Sequence, residues 1–410
     1  MSEVTSRELP DWLDAHLQAT DNSEPPELFR LWCGISTLAA ALERKVSLDW
    51  GPVYYPNMYI VLVAPAGRAR KGTAMRPAQK YLTNLGTKLA ASTVTREALI
   101  QTLEEAQDMI MDNHDKPYSH ASLTIFSPEL TVFLGYNNMQ LMSDLTDWFD
   151  CADRWEYRTK NAGTSIITGV YINLIGATTP DLIRSALPTD AVGGGLTSRM
   201  IFVYEENKGK LVPLPFLSQE DRLLTEKLNR DLSRINLMKG KFKATAKFVS
   251  FYTDWYVAQS RKPPRFYDKS FDGYIERRPT HILKLSMILS ASHTDSLVVD
   301  EPDIRRAVEI LERTEKKMSR AFGGMGSERN ASVLNDVMVA LSFEQNISIQ
   351  ELLRRHWHDI SKEDLEKVID TLVCMGVARR RITTDGISML TFCGWPQDTA
   401  QNQSTQPKEV

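Results

Sequence analysis

The stretch that most constrains this chain is Met58–Thr73. Met58–Val63 (MYIVLV) is continuously apolar and rich in β-branched residues, the pattern of a strand covered on both faces. It runs directly into APAGRARKGT and then into a helical stretch reaching about Leu89. A strand buried on both faces needs helices above and below it, so the rest of the chain must supply further strands and helices in alternation. It does. Leu123–Phe126 (LTIF), Val170–Ile175 (VYINLI) and Met200–Tyr204 (MIFVY) are further buried-strand runs. Helical segments are expected at Leu28–Leu42, Thr95–Met111 and Met139–Cys151. A strand at Val46–Trp50 follows the first of these helices, and Trp155–Lys160 with Ser165–Thr168 forms a hairpin across Asn161-Ala162-Gly163. The expectation is an α/β fold with a mostly parallel sheet between about residues 46 and 206.

Composition narrows the class. The 410 residues are 42% hydrophobic and 25% charged, with a net charge of −3, which is ordinary for a globular protein. Neither a spanning run of about 18 apolar residues nor a basic-then-apolar leader is evident, so no membrane contact is expected. Cys33, Cys151, Cys374 and Cys393 are scattered without a CxxC pair, which suggests neither zinc nor a disulfide framework and fits a cytoplasmic location. His356 and His358 have no cysteine companion and suggest no metal site.

Breaks in the pattern divide the chain into five parts. Residues 1–45 form an N-terminal helical arm, 46–210 the α/β core, and 211–325 a helical domain that reads as helices throughout. Residues 326–395 show helices followed by strand-like runs at Val377–Thr383 and Ile387–Phe392 around Asp385-Gly386, the order of a winged helix. Residues 396–410 form a polar, disordered tail.

The loop after the first buried strand carries the chemistry. A P-loop wraps backbone N–H groups around a phosphate at a helix N-terminus, a lysine reaches the β/γ-phosphates, and a Ser/Thr hydroxyl holds Mg²⁺. Here Gly67 supplies the flexible point, Lys71 the amine, Gly72 the following glycine and Thr73 the hydroxyl, with Arg70 sharing or taking the lysine's part. Ala64 stands in place of the usual first glycine, and Arg70 in place of the one before the lysine. The plainer alternative is a basic surface turn. Past LTIF, Ser127 would meet the metal through water and Glu129 would activate the attacking water; alternatively Glu129 is an acid at a helix N-terminus. The third run ends in GATTP, where Thr178, or else Thr179, would sense the γ-phosphate; the alternative is a helix cap. Arg199, closing GGGLTSR, would act as an arginine finger on a neighbouring subunit, or else form a structural ion pair.

The segments PNMYIVLVAPAGRARKGTA, LTIFSPEL, INLIGATTPDLI and GGGLTSRMIFVYEE resemble P-loop proteins of phages, plasmids and mobile elements, often the helicase half of primase–helicases. The arrangement is also similar to superfamily-3 and MCM-type AAA+ ring helicases, with a RecA-like core. The resemblance spans roughly residues 27–320. It implies a P-loop NTPase core using ATP and Mg²⁺, a homo-oligomeric ring (commonly a hexamer), translocation on single-stranded or forked DNA, and a primase or replication initiator as partner.

In such rings a β-hairpin before the third strand meets DNA, which points to Arg158 and Lys160. In the C-terminal part, Arg379, Arg380 and Arg381 are placed to follow the backbone, whereas the acids Glu363, Asp364, Glu366 and Asp370 make groove reading by Ser361–Met375 unsuitable. Docking of another protein fits that helix equally well. The expected function is therefore an ATP-dependent DNA helicase or translocase. The alternative is a weakly or non-hydrolysing NTP-binding scaffold or helicase loader; a small-molecule kinase rests on Lys71-Gly72-Thr73 alone.

Overall fold

The computed structural model describes residues 6–111, 116–136, 138–159, 163–186, 195–261, 266, 271–322, 329–357, 360–383 and 386–394. Two compact units divide the chain, Met1–Ala321 and Phe322–Val410.

The first unit begins with α1 (Trp12–Ala19), α2 (Glu27–Leu42), β1 (Val46–Asp49), β2 (Val53–Tyr54), β3 (Tyr59–Val63) and α3 (Lys71–Leu85). Next come α4 (Arg96–Glu105), β4 (Gln107–Met111), β5 (Pro117–Ser127), α5 (Leu130–Leu134) and α6 (Met139–Phe149). The hairpin β6 (Arg154–Thr159) and β7 (Gly163–Thr168) leads to β8 (Val170–Thr178), α7 (Pro180–Ala186) and β9 (Met200–Tyr204). The remainder is α8 (Gln219–Asn236), β10 (Gly240–Ala244), α9 (Ala246–Ser260), α10 (Asp272–His293), β11 (Val298–Val299) and α11 (Glu301–Met318).

The central sheet has the order β4-β5-β8-β3-β9. Its four inner and C-terminal strands run parallel, and β4 alone is antiparallel. Every residue of β3, β8 and β9 is buried, as their unbroken apolar sequences require. The helix α2 is buried from Leu28 to Leu42. Two polar side chains of β8 fix it there: Tyr171 donates to Ala39 O at 2.6 Å, and Asn173 donates to Ser36 O at 3.2 Å. Asn173 also accepts from Met58 N at 3.1 Å, so this buried amide ties helix, β8 and β3 together without an unpaired group.

Three expectations are corrected. The helix at 95–111 stops at Glu105, and Gln107–Met111 becomes an edge strand paired with β5. The strand at Val46 joins a second sheet, β11-β10-β1-β2, rather than the central one. That sheet also interrupts the segment read as wholly helical, because β10 and β11 lie within it. The hairpin forms, with Arg154 opposite Thr168 and Arg158 opposite Thr164.

The second unit contains α12 (Arg329–Glu344), β12 (Asn346–Ser348), α13 (Ile349–His356), α14 (Lys362–Cys374), β13 (Ala378–Ile382) and β14 (Ser388–Phe392). Its antiparallel sheet has the order β12-β14-β13 around a core that includes Val337, Leu352, Ile369 and Leu390. β12 was not foreseen; three residues flanked by helices give no alternation to read. The tail 396–410 lies outside the described residues.

Candidate functional site

Strand register decides what meets at the C-terminal edge of the central sheet. Val63, the last residue of β3, is opposite Thr178, the last of β8. One strand further, Gly176 is opposite Ser127, the last of β5. Three neighbouring parallel strands therefore end together, and their following loops converge on one edge. Gly176 permits this: a Cβ there would sit 2.9 Å from the Leu130 side chain that follows β5.

The loop from Ala64 to Arg70 leaves β3 and feeds α3. Gly67 has φ +72°, a left-handed conformation that costs glycine nothing. Arg70 has φ +54° and no such licence; a non-glycine residue there costs about 1–2 kcal/mol. No side chain caps α3, and the Lys71 and Gly72 amides find no acceptor among the described residues. The open end of the helix thus offers free donors and the positive end of its dipole.

Lys71 is half-buried, and its Nζ donates to Ala64 O at 2.7 Å. Burial lowers its pKa, and the charge of Glu129 opposes that shift. Glu129 is exposed at the start of α5. The Lys71 amine therefore feels the charge of Glu129, far away in sequence, across the edge. Ser127 and Thr178 are buried. Thr178 Oγ1 makes only a long 3.5 Å contact with Thr179 O, while Thr179 Oγ1 accepts from Leu182 N at 3.3 Å. The capping bond belongs to Thr179 and leaves the Thr178 hydroxyl without a strong partner. Thr73 is half-buried and Gly72 exposed.

Arg70 is not turned to Lys71's task. Its Nε donates to Glu24 at 2.7 Å, and the other oxygen of Glu24 accepts from Lys208 at 2.6 Å. The Lys208 bond, helped by Arg70, holds the Glu24 carboxyl below its ordinary range. Nothing in the polar N-terminal sequence marked Glu24 for this position.

Arg199 stands at the opposite edge. It immediately precedes β9, whose first residue pairs with the first of β3. A five-residue strand at about 3.3 Å per residue separates it from the loop edge. The side chain is buried, donates to Asp150 at 2.6 Å and to Gly195 O at 2.8 Å, and lies over the Phe149 ring. Arg277 reaches the other oxygen of Asp150 at 3.3 Å. Buried Lys284 joins them through the Asn57 amide oxygen and Phe149 O. Burial pushes its amine down to about 8. A lysine inside the apolar run HILKLSMIL was the one sequence signal for this cluster.

Arg158 is exposed on the hairpin; Lys160 lies outside the described residues. In the second unit Arg379, Arg380 and Arg381 are all exposed on β13. Arg380 is bound to Glu366 at 2.8 Å, whereas Arg379 and Arg381 have no carboxylate partner among the described residues. No group of three or more acidic, His or Cys side chains suited to a metal occurs among the described residues. Nor is any helix there long and apolar enough to cross a membrane. No protein-family model and no curated protein matches the chain.

Proposed function

We propose that the first unit is a P-loop NTPase core of the AAA+/RecA-like kind and that the protein is an ATP-dependent, ring-forming DNA helicase or translocase. The observation that carries this reading is the shared edge of β3, β8 and β5. There Lys71, Thr178 and the Ser127–Glu129 turn converge beside the open N-terminus of α3. A polyphosphate would take the free amides of the loop and the Lys71 amine, which leaves Ala64 O to reach it.

The oxygen donors fit Mg²⁺, which favours hydroxyl, carboxylate, water and phosphate oxygens over His or Cys. Thr73 would hold the ion directly and Ser127 through water. When bound, Mg²⁺ would neutralise phosphate charge. Glu129 would accept the proton of the attacking water, and Thr178 would orient that water. Arg199, one strand length away, would act only on a neighbouring copy, consistent with a hexameric ring.

The 326–395 segment reads as a winged helix from its three helices and its β13–β14 hairpin. DNA phosphates would meet Arg158, Lys160, Arg379 and Arg381, and Arg380 after it leaves Glu366. A primase or initiator would complete the replication machinery of a phage or mobile element. The second reading, a weakly hydrolysing scaffold or loader, is favoured by Ala64 and Ser127 at positions usually held by glycine and aspartate, and by the engagement of Arg70 with Glu24.

ATP turnover with and without single-stranded DNA tests the first reading, in wild type, Lys71→Ala and Glu129→Gln. DNA-stimulated turnover should fall about 100-fold or more in both variants. Absence of turnover in wild type under every condition favours the scaffold, and full turnover in Lys71→Ala rejects the assigned lysine.

A further inference from the structure

We infer that the cavity at the N-terminal edge of the central sheet is a binding site for a small organic phosphate, distinct from the loop at residues 64–73. The cavity has a volume of ≈ 250 Å³ and is lined by Pro52, Val53, Tyr54, Tyr55, Asp150, Cys151, Arg277, Thr280 and Lys284. That is just below the range of about 300–1,000 Å³ typical of drug-sized ligands, so it suits a phosphate group carrying a small apolar body.

Charge identifies the group. Lys284 and Arg277 open onto the cavity, and Arg199 shares Asp150 with Arg277. Asp150 is the carboxylate that acts on both Lys284 and Arg277, while Arg199 lowers both and Arg277 lowers Lys284. The nearby Arg44 is already matched by Asp153. Cys151 is a neutral thiol, its pKa pushed by burial up to about 11. Lys284 and Arg277 at the cavity wall, with the buried Arg199 that shares Asp150, leave an excess of two positive charges over one carboxylate where water screens them poorly. A phosphate monoester carries about −1.5 to −2 at neutral pH and matches that excess; a carboxylate supplies half of it.

Geometry agrees. Lys284 is buried with neutral oxygens as its hydrogen-bonding partners, so an amine proton remains for a ligand. Tyr54, Tyr55, Val53 and Pro52 provide an apolar wall for the ester group. The strand β2 that bears two of them is short and pairs only with β1 among the described residues, so its far side is available to a ligand.

Isothermal titration of the full chain with phenyl phosphate tests the site, with benzoate as the monoanionic comparison. Wild type and Lys71→Ala should bind phenyl phosphate with equal affinity, and benzoate several-fold more weakly. Arg277→Gln and Lys284→Gln should each weaken phenyl phosphate at least about 10-fold. Arg277 is partly exposed, so its variant keeps the test decisive should Lys284→Gln fail to fold. The assignment is overturned if wild type does not bind, if Arg277→Gln binds undiminished, or if benzoate binds as tightly. Loss of binding in Lys71→Ala also overturns it, because the 64–73 loop would then be the sole phosphate site.

Discussion

At the C-terminal edge of the central sheet, Lys71 is half-buried and its amine rests on one neutral carbonyl. At the N-terminal edge, Arg199 is buried, bound to a carboxylate and a carbonyl, and stacked over Phe149. Both are cations placed by the ends of the same parallel strands. The first is easily released, and the second is built into the packing. To meet a ligand Lys71 gives up one carbonyl, whereas Arg199 would have to give up a carboxylate and a carbonyl.

The largest effect expected from this contrast is on stability. Arg199→Ala removes a buried cation and strands Asp150 beside Arg277. Losing one member of a buried pair costs 3–5 kcal/mol, and the half-exposure of Asp150 reduces that to about 2–3 kcal/mol. Lys71→Ala loses one amine–carbonyl bond, worth about 1 kcal/mol or less. Urea unfolding midpoints of the two variants should separate clearly, with Arg199→Ala the lower. The reverse order would dissolve the distinction between the edges.

Acid should weaken the first unit, the N-terminal edge included. His281, against Ser198 O, is buried, and that burial pushes its pKa down to about 3. His16 and His120 are buried too, and each is pushed down to about 4. Between pH 6.5 and those values the unfolded chain takes up protons that the folded chain refuses. Stability is therefore full above the unfolded value and falls as pH drops. Each such histidine costs about 1.4 kcal/mol at pH 5.5. His281→Asn should remove about that much of the difference between unfolding free energies at pH 7.5 and 5.5; an unchanged difference means that His281 is protonated in the fold.

The smallest effect belongs to the loop edge. Glu24 holds Arg70 and Lys208 where an incoming phosphate would compete for them. Glu24→Gln should tighten binding of a non-hydrolysable ATP analogue about 3-fold by titration calorimetry, the scale of an exposed ion pair. Equal or weaker binding would show that Glu24 positions Arg70 rather than restrains it.

The central strands were legible because a strand covered on both faces leaves long apolar runs, here MYIVLV, LTIF, VYINLI and MIFVY, with few polar residues to break them. β4 was not: QDMIM is exposed along nearly its whole length, and it continues the composition of the helix before it. The second sheet was legible only at β1. β10 and β11 are short, and only their pairing over long sequence separations makes them strands. The same rule separates the two edges. Lys71 and Thr73 lie within one turn, Thr178 ends a recognisable strand and Glu129 lies two residues past another, so they could be named from sequence. Asp150, Arg277 and Lys284 come from distant elements, and only Lys284 stood out against its neighbours. Glu24 had no local signal at all.

The second sheet also sets a timetable. Val46 pairs with Gly240, and Ala244 with Val299, both in parallel. During synthesis, β2 follows at once and pairs with one edge of β1, but the other edge must wait for β10, and β10 in turn for β11. Until the ribosome has passed Val299, the nascent chain carries an unpaired strand edge next to its phosphate-loop half. A product released after residue 210 would keep that edge permanently and would be prone to aggregate, although it holds every residue of the 64–73 loop.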